Sequence, residues 1–441
     1  MRDVVLFIVI FSLLPFCIAR PYIGVLTWAW LGYMNPHRLT WGPAYSYDWG
    51  KLIALATLIG FAIAVMSRDR KPKLPREKEV VLLVLLWLMF GFTTLFAMDV
   101  PAASAEFIKI CKVLLMTFLT LMLIDDRRKL RLLVLVITLS VGFYGVKGGV
   151  FSLMTGGQHL VKGPAGSFFG ANNGLGLALN MCLPLWYFLS KSEPKRVVRL
   201  FMLGSFGLTA MSVVFTYSRG AFLGLAAVLF FIGLTLKFYQ KIVVLFLAVI
   251  LSGAVLSQIP DKWIERMGTI QSFEEDRSAI GRLEAWKLAW RVALDRPLTG
   301  GGFEAFEDNS LYDRYYPETR ARTDVHSAYF EVLGENGFIT FGIYMALMAS
   351  TVLALERLAR RFKRSETDRW IYYYSRMVQI SIAAFAVSGA FLEVASFDMY
   401  YHLVALAIVL KSIARKQVEN SGRHASHRAV LRAVPQQAET A

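Results

Sequence analysis

The sequence predicts an all-α, polytopic membrane protein of about 12 transmembrane helices with one large, partly helical loop on the outer face. Apolar stretches of membrane-spanning length recur from the N-terminus to residue 413. Hydrophobic residues make up 56% of the chain and mean hydropathy is +0.49, which argues against a soluble domain. Lys and Arg cluster just beyond the apolar stretches, at Arg68 to Lys78, Arg127 to Arg131, Lys191 to Arg199, Lys237 to Lys241, Arg357 to Arg369 and after Lys411. The positive-inside rule assigns those loops to the cytoplasm.

The first 34 residues allow two readings, because Arg20-Pro21 either separates two short helices or breaks one long one. No small-residue cleavage pattern follows the Val4 to Ala19 run, so a signal peptide is not expected. Crossings are then expected at 51–66, 80–97, 105–124, 130–151, 172–190, 200–216, 221–236, 242–258, 328–355, 370–393 and 398–413. With 67–79 inside, 35–50 lies outside, and parity favours a single net crossing before it, with both termini in the cytoplasm. The expected organisation is helices over 1–258, the outer loop over 259–327, helices over 328–413, and a basic, disordered tail over 414–441.

The net charge of +16 is dispersed among short loops without a recognition motif, which speaks against nucleic-acid binding. Cys17, Cys111 and Cys182 all lie within apolar spans, which speaks against disulfides, zinc sites and thiol catalysis.

Three polar regions fall outside: 152–171, the turn around Arg219, and about 259–327. The last is far longer than a connection requires, which marks it as functional or disordered. Disorder is not expected, because Ile280, Leu283, Trp286, Trp290 and Leu294 recur at helical spacing. They predict an amphipathic helix on the outer membrane surface, ended by Arg296-Pro297 and Gly300 to Gly302. The segment from Arg320 to Phe338 then sets His326 between an arginine-rich stretch and an apolar span. Histidine holds or accepts a proton near neutral pH and arginine grips phosphate with a planar fork, so the pair suits transfer from a phosphate-activated, lipid-borne donor.

An ordered set of motifs carries a resemblance. Thr216-Tyr217-Ser218-Arg219-Gly220-Ala221, then Arg282-Leu283-Glu284-Ala285-Trp286 with Pro297 to Phe303, then His326-Ser327 with Glu331 and Glu335-Asn336-Gly337, resemble the O-antigen ligase and polymerase superfamily of bacterial envelope glycosyltransferases. Arg20-Pro21-Tyr22 and Trp28 to Arg38 make the chain most similar to the exosortase-associated O-glycosylation ligases. The resemblance implies a helical enzyme of the bacterial inner membrane. It would move a glycan from a polyprenyl (undecaprenyl) diphosphate carrier to a hydroxyl on a lipid, polysaccharide or protein acceptor at the periplasmic face. It also carries the superfamily's essential histidine onto His326 and its two functional arginines onto Arg219 and Arg282.

Other residues are candidates for substrate binding. Arg277, Arg320 and Arg322 are further cations for the diphosphate. Glu331 and Glu335, four apart on one helix face, are candidates to orient His326 or to pair with Arg320 or Arg322. Asn172 and Asn173 are placed to bond sugar or phosphate, with helix capping as the bland alternative. Arg219 taken alone is matched by a snorkelling arginine and Arg282 by the polar face of a surface helix. No Asp-x-Asp motif is present, so arginines rather than a metal or other cofactor are expected to balance the leaving group. A polymerase using the same donor is the alternative. A transporter of lipid-linked glycan is less favoured, since neither mid-membrane ionisable residues nor internal repetition is evident.

Overall fold

The computed structural model describes residues 1–67, 71–241, 263, 277–307, 310–317 and 323–433. The crossing expected at 242–258, and with it Arg320 and Arg322, lie outside the described residues. Among the described residues there is no strand, and the helices are α1 (Arg2–Ala19), α2 (Pro21–Met34), α3 (Trp49–Met66), α4 (Lys78–Leu95), α5 (Val100–Leu123), α6 (Arg127–Met154) and α7 (Asn172–Ser192). They continue as α8 (Arg196–Val214), α9 (Arg219–Thr235), α10 (Arg277–Asp295), α11 (Ser310–Tyr315), α12 (Ala328–Phe362), α13 (Arg369–Ser388) and α14 (Asp398–Ala433). Of these, α1, α3, α4, α6, α8 and α12 are long and apolar enough to cross a membrane. This is a multi-pass membrane protein.

Helix starts follow local chemistry. The side chains of Asp48, Asp99 and Asp126 accept from the amides of Lys51, Ala102 and Lys129 at the heads of α3, α5 and α6. Each such cap stabilises its helix by ~1 kcal/mol.

The centre of the bundle is α7, buried from Gly174 to Ser190 except at Tyr187 and packed on α6, α8, α9 and α13. Packed on α4, α5, α6, α12 and α13, α14 is buried at every residue from Met399 to Leu410. These inner helices carry polar groups because protein, not lipid, surrounds them. Asn180 donates to Ala221 O at 2.7 Å, Ser381 to Met181 O at 2.7 Å, and the Tyr33 hydroxyl lies 2.5 Å from His402 Nδ1. His402 therefore has a tyrosine from α2 as partner, a contact its own span does not announce.

Lipid tails are as apolar as leucine, so helix association depends on close packing and on such bonds. A Cβ at Gly149 of α6 would lie 2.2 Å from Leu208 O of α8, and one at Gly145 would lie 2.5 Å from Thr209 Oγ1. Two glycines four apart thus let the backbones touch. The rim exposes Val4, Ile8, Phe11, Ile63, Phe230 and Leu234, which suits contact with acyl chains.

The two ends of the bundle differ. At the lower end, Lys411 pairs with Glu77 and Glu79 at 2.8 and 2.9 Å, Arg415 with Glu77 at 2.8 Å, and Arg131 with Glu193 at 2.6 Å. The upper end gathers 35–48, 155–171, 215–218, 296–307 and 389–397. There, Val161 N donates to Phe215 O and Met98 N to Gly301 O.

The N-terminus corrects the expectation of a single net crossing. Arg2 donates to Leu39 O at 3.2 Å, and Asp3 accepts from the amides of Gly42 and Ala44 at 3.1 and 3.2 Å. The start of α1 therefore lies at the upper end with the 35–48 loop, and α1 and α2 form a hairpin hinged at Arg20-Pro21. The reason is that Pro21 opens a helix without a donor amide while Arg20 is extended, which turns the chain back. In a background without native cysteines, Arg2→Cys and Ser46→Cys are expected to react with an impermeant maleimide from one side and Thr367→Cys from the other. Labelling of Arg2→Cys with Thr367→Cys would restore the single crossing.

Two further corrections concern ends. α13 stops at Ser388, not 393, and 389–397 returns over the site. α14 continues as helix to Ala433, and 434–441 of the tail lie outside the described residues.

The amphipathic helix is α10, and of its predicted stripe Trp286 is packed against Phe330. Ile280, Leu283, Trp290 and Leu294 are exposed, while Ala285, Leu288, Ala289, Val292 and Ala293 are fully buried, on a helix that packs against α12. Small residues make the closer contact, leaving the rest of the bulky stripe to face outward.

Candidate functional site

At Gly337 α12 breaks, with φ 75° and ψ 178°. The turn after α10 fills the break: Phe338 N donates to Pro297 O at 2.8 Å, and the amides of Gly301 and Gly302 donate to Gly334 O and Glu335 O at 2.9 and 2.8 Å. Gly300 and Gly302, at φ 61° and 93°, make the tight turn this docking needs. The short segment Ala328–Asn336 is thereby fixed against α10. Trp286 stacks on Phe330 at 5.1 Å and donates to Val325 O at 2.9 Å, anchoring the strand of chain that carries His326.

The Arg219 turn is built on the start of α7. Asn172 Nδ2 donates to Thr216 O at 2.8 Å, Tyr217 takes a left-handed φ of 55° with its hydroxyl donating to Gly157 O at 2.7 Å, and Ser218 caps α9 by accepting from Ala221 N. Arg219 is then the first residue of α9. Asn173 Oδ1 accepts from Gly174 N at 2.9 Å, and no side chain caps α7.

Between these parts lies a cavity of about 100 Å3 lined by Asn172, Asn173, Ser218, Arg219, Arg282 and Leu392, among others. Two arginines more than 60 positions apart in sequence share it with the N-termini of α7 and α9, whose aligned peptide dipoles add positive potential. The room is that of about three waters, enough for phosphate oxygens but not for a saccharide.

His326 stands just before α12, half-buried and with φ 42°. A non-glycine residue in that region is uncommon and costs on the order of 1 to 3 kcal/mol, which is held by its surroundings. Burial first, then the nearby Arg282 guanidinium, push its pKa below the usual histidine value, against a smaller pull upward from Asp324. The ring is neutral at pH 7 and can accept a proton.

Two carboxylates that the sequence reading missed complete this corner. Ligand atoms of Asp324, His326 and Glu393 lie within 4.8 Å of one another. Glu393 as a residue is exposed, yet its carboxyl is crowded by the site wall, and that burial, with Asp324 and Glu307, raises its pKa to about 7. The trio can hold a proton between imidazole and carboxylate, and the same donor set would suit a divalent cation. Glu393 ends an apolar run, and a charge in that position was the available signal.

Glu331 and Glu335 each bond a backbone amide, while Arg320 and Arg322, their expected partners, lie outside the described residues. Glu331 accepts from Ala395 N at 3.0 Å, and Glu335 from Glu304 N at 2.9 Å. Each pins a wall of the site by its backbone, and the first sets Glu393 against His326. Arg277 begins α10 by its backbone.

The proton balance around His326 has a measurable sign. Catalysis by a neutral imidazole is lost as pH falls through its pKa, so the acidic limb of the rate is expected below about 6.5. Asp324→Asn removes a contribution that raises that pKa, so the limb is expected to move to lower pH. Movement upward, measured in single-turnover profiles, would exclude His326 as the titrating group.

Residues 204–345 match the O-antigen ligase family, a segment that includes Arg219, Arg282, His326, Glu331 and Glu335. Residues 1–179 match a family of unknown function, which includes Asn172 and Asn173. No curated protein matches the chain. Asp324 lies inside the O-antigen ligase match and Glu393 beyond it.

Proposed function

We propose that this chain is an O-antigen-ligase-like glycosyltransferase of the bacterial inner membrane. It transfers a glycan from polyprenyl diphosphate to a hydroxyl acceptor at the periplasmic face. The observation that carries the reading is the small cavity where Arg219, Arg282 and two helix N-termini converge, with His326 within electrostatic reach of Arg282. The basic lower end is cytoplasmic by the positive-inside rule, which makes the upper end periplasmic. The N-terminal hairpin adds one passage before the 35–48 loop to the expected topology, which puts Met1 on the periplasmic side. Within the class, Arg20-Pro21-Tyr22 and Trp28 to Arg38 favour the exosortase-associated branch.

In the reaction, the acceptor oxygen attacks the anomeric carbon as the bond from that carbon to the diphosphate oxygen breaks. The acceptor proton passes to His326, whose imidazolium Asp324 and Glu393 stabilise. The diphosphate leaves with the bonding pair, and Arg219 and Arg282 hold its growing charge. Direct displacement inverts the anomeric configuration.

The test is a purified-protein assay with a defined polyprenyl diphosphate glycan and separate lipid, protein and glycan acceptors. Transfer to lipid or protein identifies a ligase, extension of the glycan a polymerase, and no transfer with any acceptor removes the reading. In excess chelator activity is expected to persist, because fixed arginines supply the charge balance. Loss restored specifically by magnesium or manganese would instead assign Asp324, His326 and Glu393 to a metal.

A further inference from the structure

A larger cavity, about 870 Å3, lies at the opposite end of the bundle from His326, between α7, α9, α12 and α13. It runs along α13 from Arg369 to Ala383, a helical rise of about 21 Å. Its two ends differ in chemistry. Lys191, Lys237, Lys363 and Arg369 stand at the mouth, and among the described residues none of the four has a carboxylate partner. In the neck, Glu356, the one carboxylate among the described lining residues, is already held by Arg376 at 2.5 Å and Arg360 at 2.7 Å. Farther along, Phe188, Val352, Ile380 and Ala383 form an apolar wall.

A cationic mouth at the membrane boundary, a polar neck and an apolar interior match the order of groups along one kind of molecule. Four uncompensated cations repel one another, and a phosphate among them removes that repulsion while Arg369 offers it two parallel donors. Tyr187 and Tyr373 already carry Lys191 and Arg369 over their rings, at 5.1 and 5.8 Å, which orients both cations at the mouth. The polar groups beside the apolar wall are already bonded, Gln379 to Glu356 and Thr235 to Ile232 O, so the wall takes hydrocarbon.

We propose that this cavity binds one anionic phospholipid from the leaflet at the lower end, with the phosphate headgroup among the four cations and an acyl chain along α13. The site is separate from the transfer chemistry, and its occupancy ties α9 and α13 together across the mouth. It differs from the diffuse attraction of any basic loop for anionic lipid, because the shape of the interior matters as well as the charge.

The experiment uses the full-length protein in phosphatidylcholine nanodiscs containing a small fraction of spin-labelled phosphatidylglycerol. The immobilised fraction of label gives the preference for the anionic lipid. At least tenfold preference over labelled phosphatidylcholine is expected. Ala383→Phe, which keeps every charge and fills the interior, and the pair Lys237→Gln with Arg369→Gln are each expected to reduce the preference below twofold. The control pair Arg196→Gln with Arg199→Gln removes equal charge from the neighbouring start of α8 and is expected to retain it. Equal loss in control and cavity variants, or full retention by Ala383→Phe, would overturn the site in favour of diffuse electrostatics. Displacement of the lipid by millimolar inorganic phosphate would overturn the lipid as occupant.

Discussion

His326→Ala is expected to abolish glycan transfer while leaving polyprenyl diphosphate bound nearly as tightly as before. A base that meets the acceptor hydroxyl only as the bond forms contributes to the transition state and not to donor capture. The expected loss is roughly 100- to 10,000-fold in the single-turnover rate, the usual range for a positioned general base. Glu393→Gln is expected to give a smaller loss in the same parameter, since it acts on the imidazolium rather than on the substrate. The measurements are donor binding and single-turnover transfer, side by side, in nanodiscs. Near-normal transfer by His326→Ala would remove the residue from the mechanism. Weakened donor binding with normal chemistry would make it a diphosphate ligand instead.

The arginines are expected to behave in the opposite sense. Arg219→Ala and Arg282→Ala should weaken donor capture as well as slow transfer, because the diphosphate is anionic before and after cleavage. The transition-state part is on the order of 3 kcal/mol for each donor group, or about 100-fold or more in rate. Lysine is expected to restore function only in part, since a point charge does not reproduce the planar fork. One difference between the two is specific to this geometry. Arg282 lowers the His326 pKa and Arg219 is not among its causes, so Arg282→Gln alone is expected to shift the acidic limb of the rate to higher pH. Equal shifts in both variants would contradict the placement of Arg282 between cavity and base. Unchanged donor binding in both would move the diphosphate elsewhere, with Arg277, Arg320 and Arg322 as the next cations to replace.

The sequence carried the helical membrane architecture because lipid permits few solutions. Every backbone group in hydrocarbon must be bonded within its own segment, so spanning stretches read directly as apolar runs, and charge at their ends reads as sidedness. The outer-loop helix was legible for the same reason, through Ile280, Leu283 and Leu294. Arg219, Arg282 and His326 were singled out as candidates through motif order, and the structure gathers Arg219 and Arg282 at one cavity with His326 within electrostatic reach of Arg282. What remained hidden depended on contacts between distant segments. Periodicity contains no information on whether Glu331 meets an arginine or the Ala395 amide, or on the approach of Glu393 to a histidine 67 positions earlier. The hairpin of α1 and α2 was hidden too, because a turn at Arg20-Pro21 and a kink there leave the same local signature, and only the bonds from Asp3 to Gly42 and Ala44 distinguish them. Composition and period determine which segments leave water, since transfer free energy is a property of each segment alone; which of their polar groups then meet is decided by packing, because in a buried site each donor is satisfied by whatever acceptor the fold brings within about 3 Å.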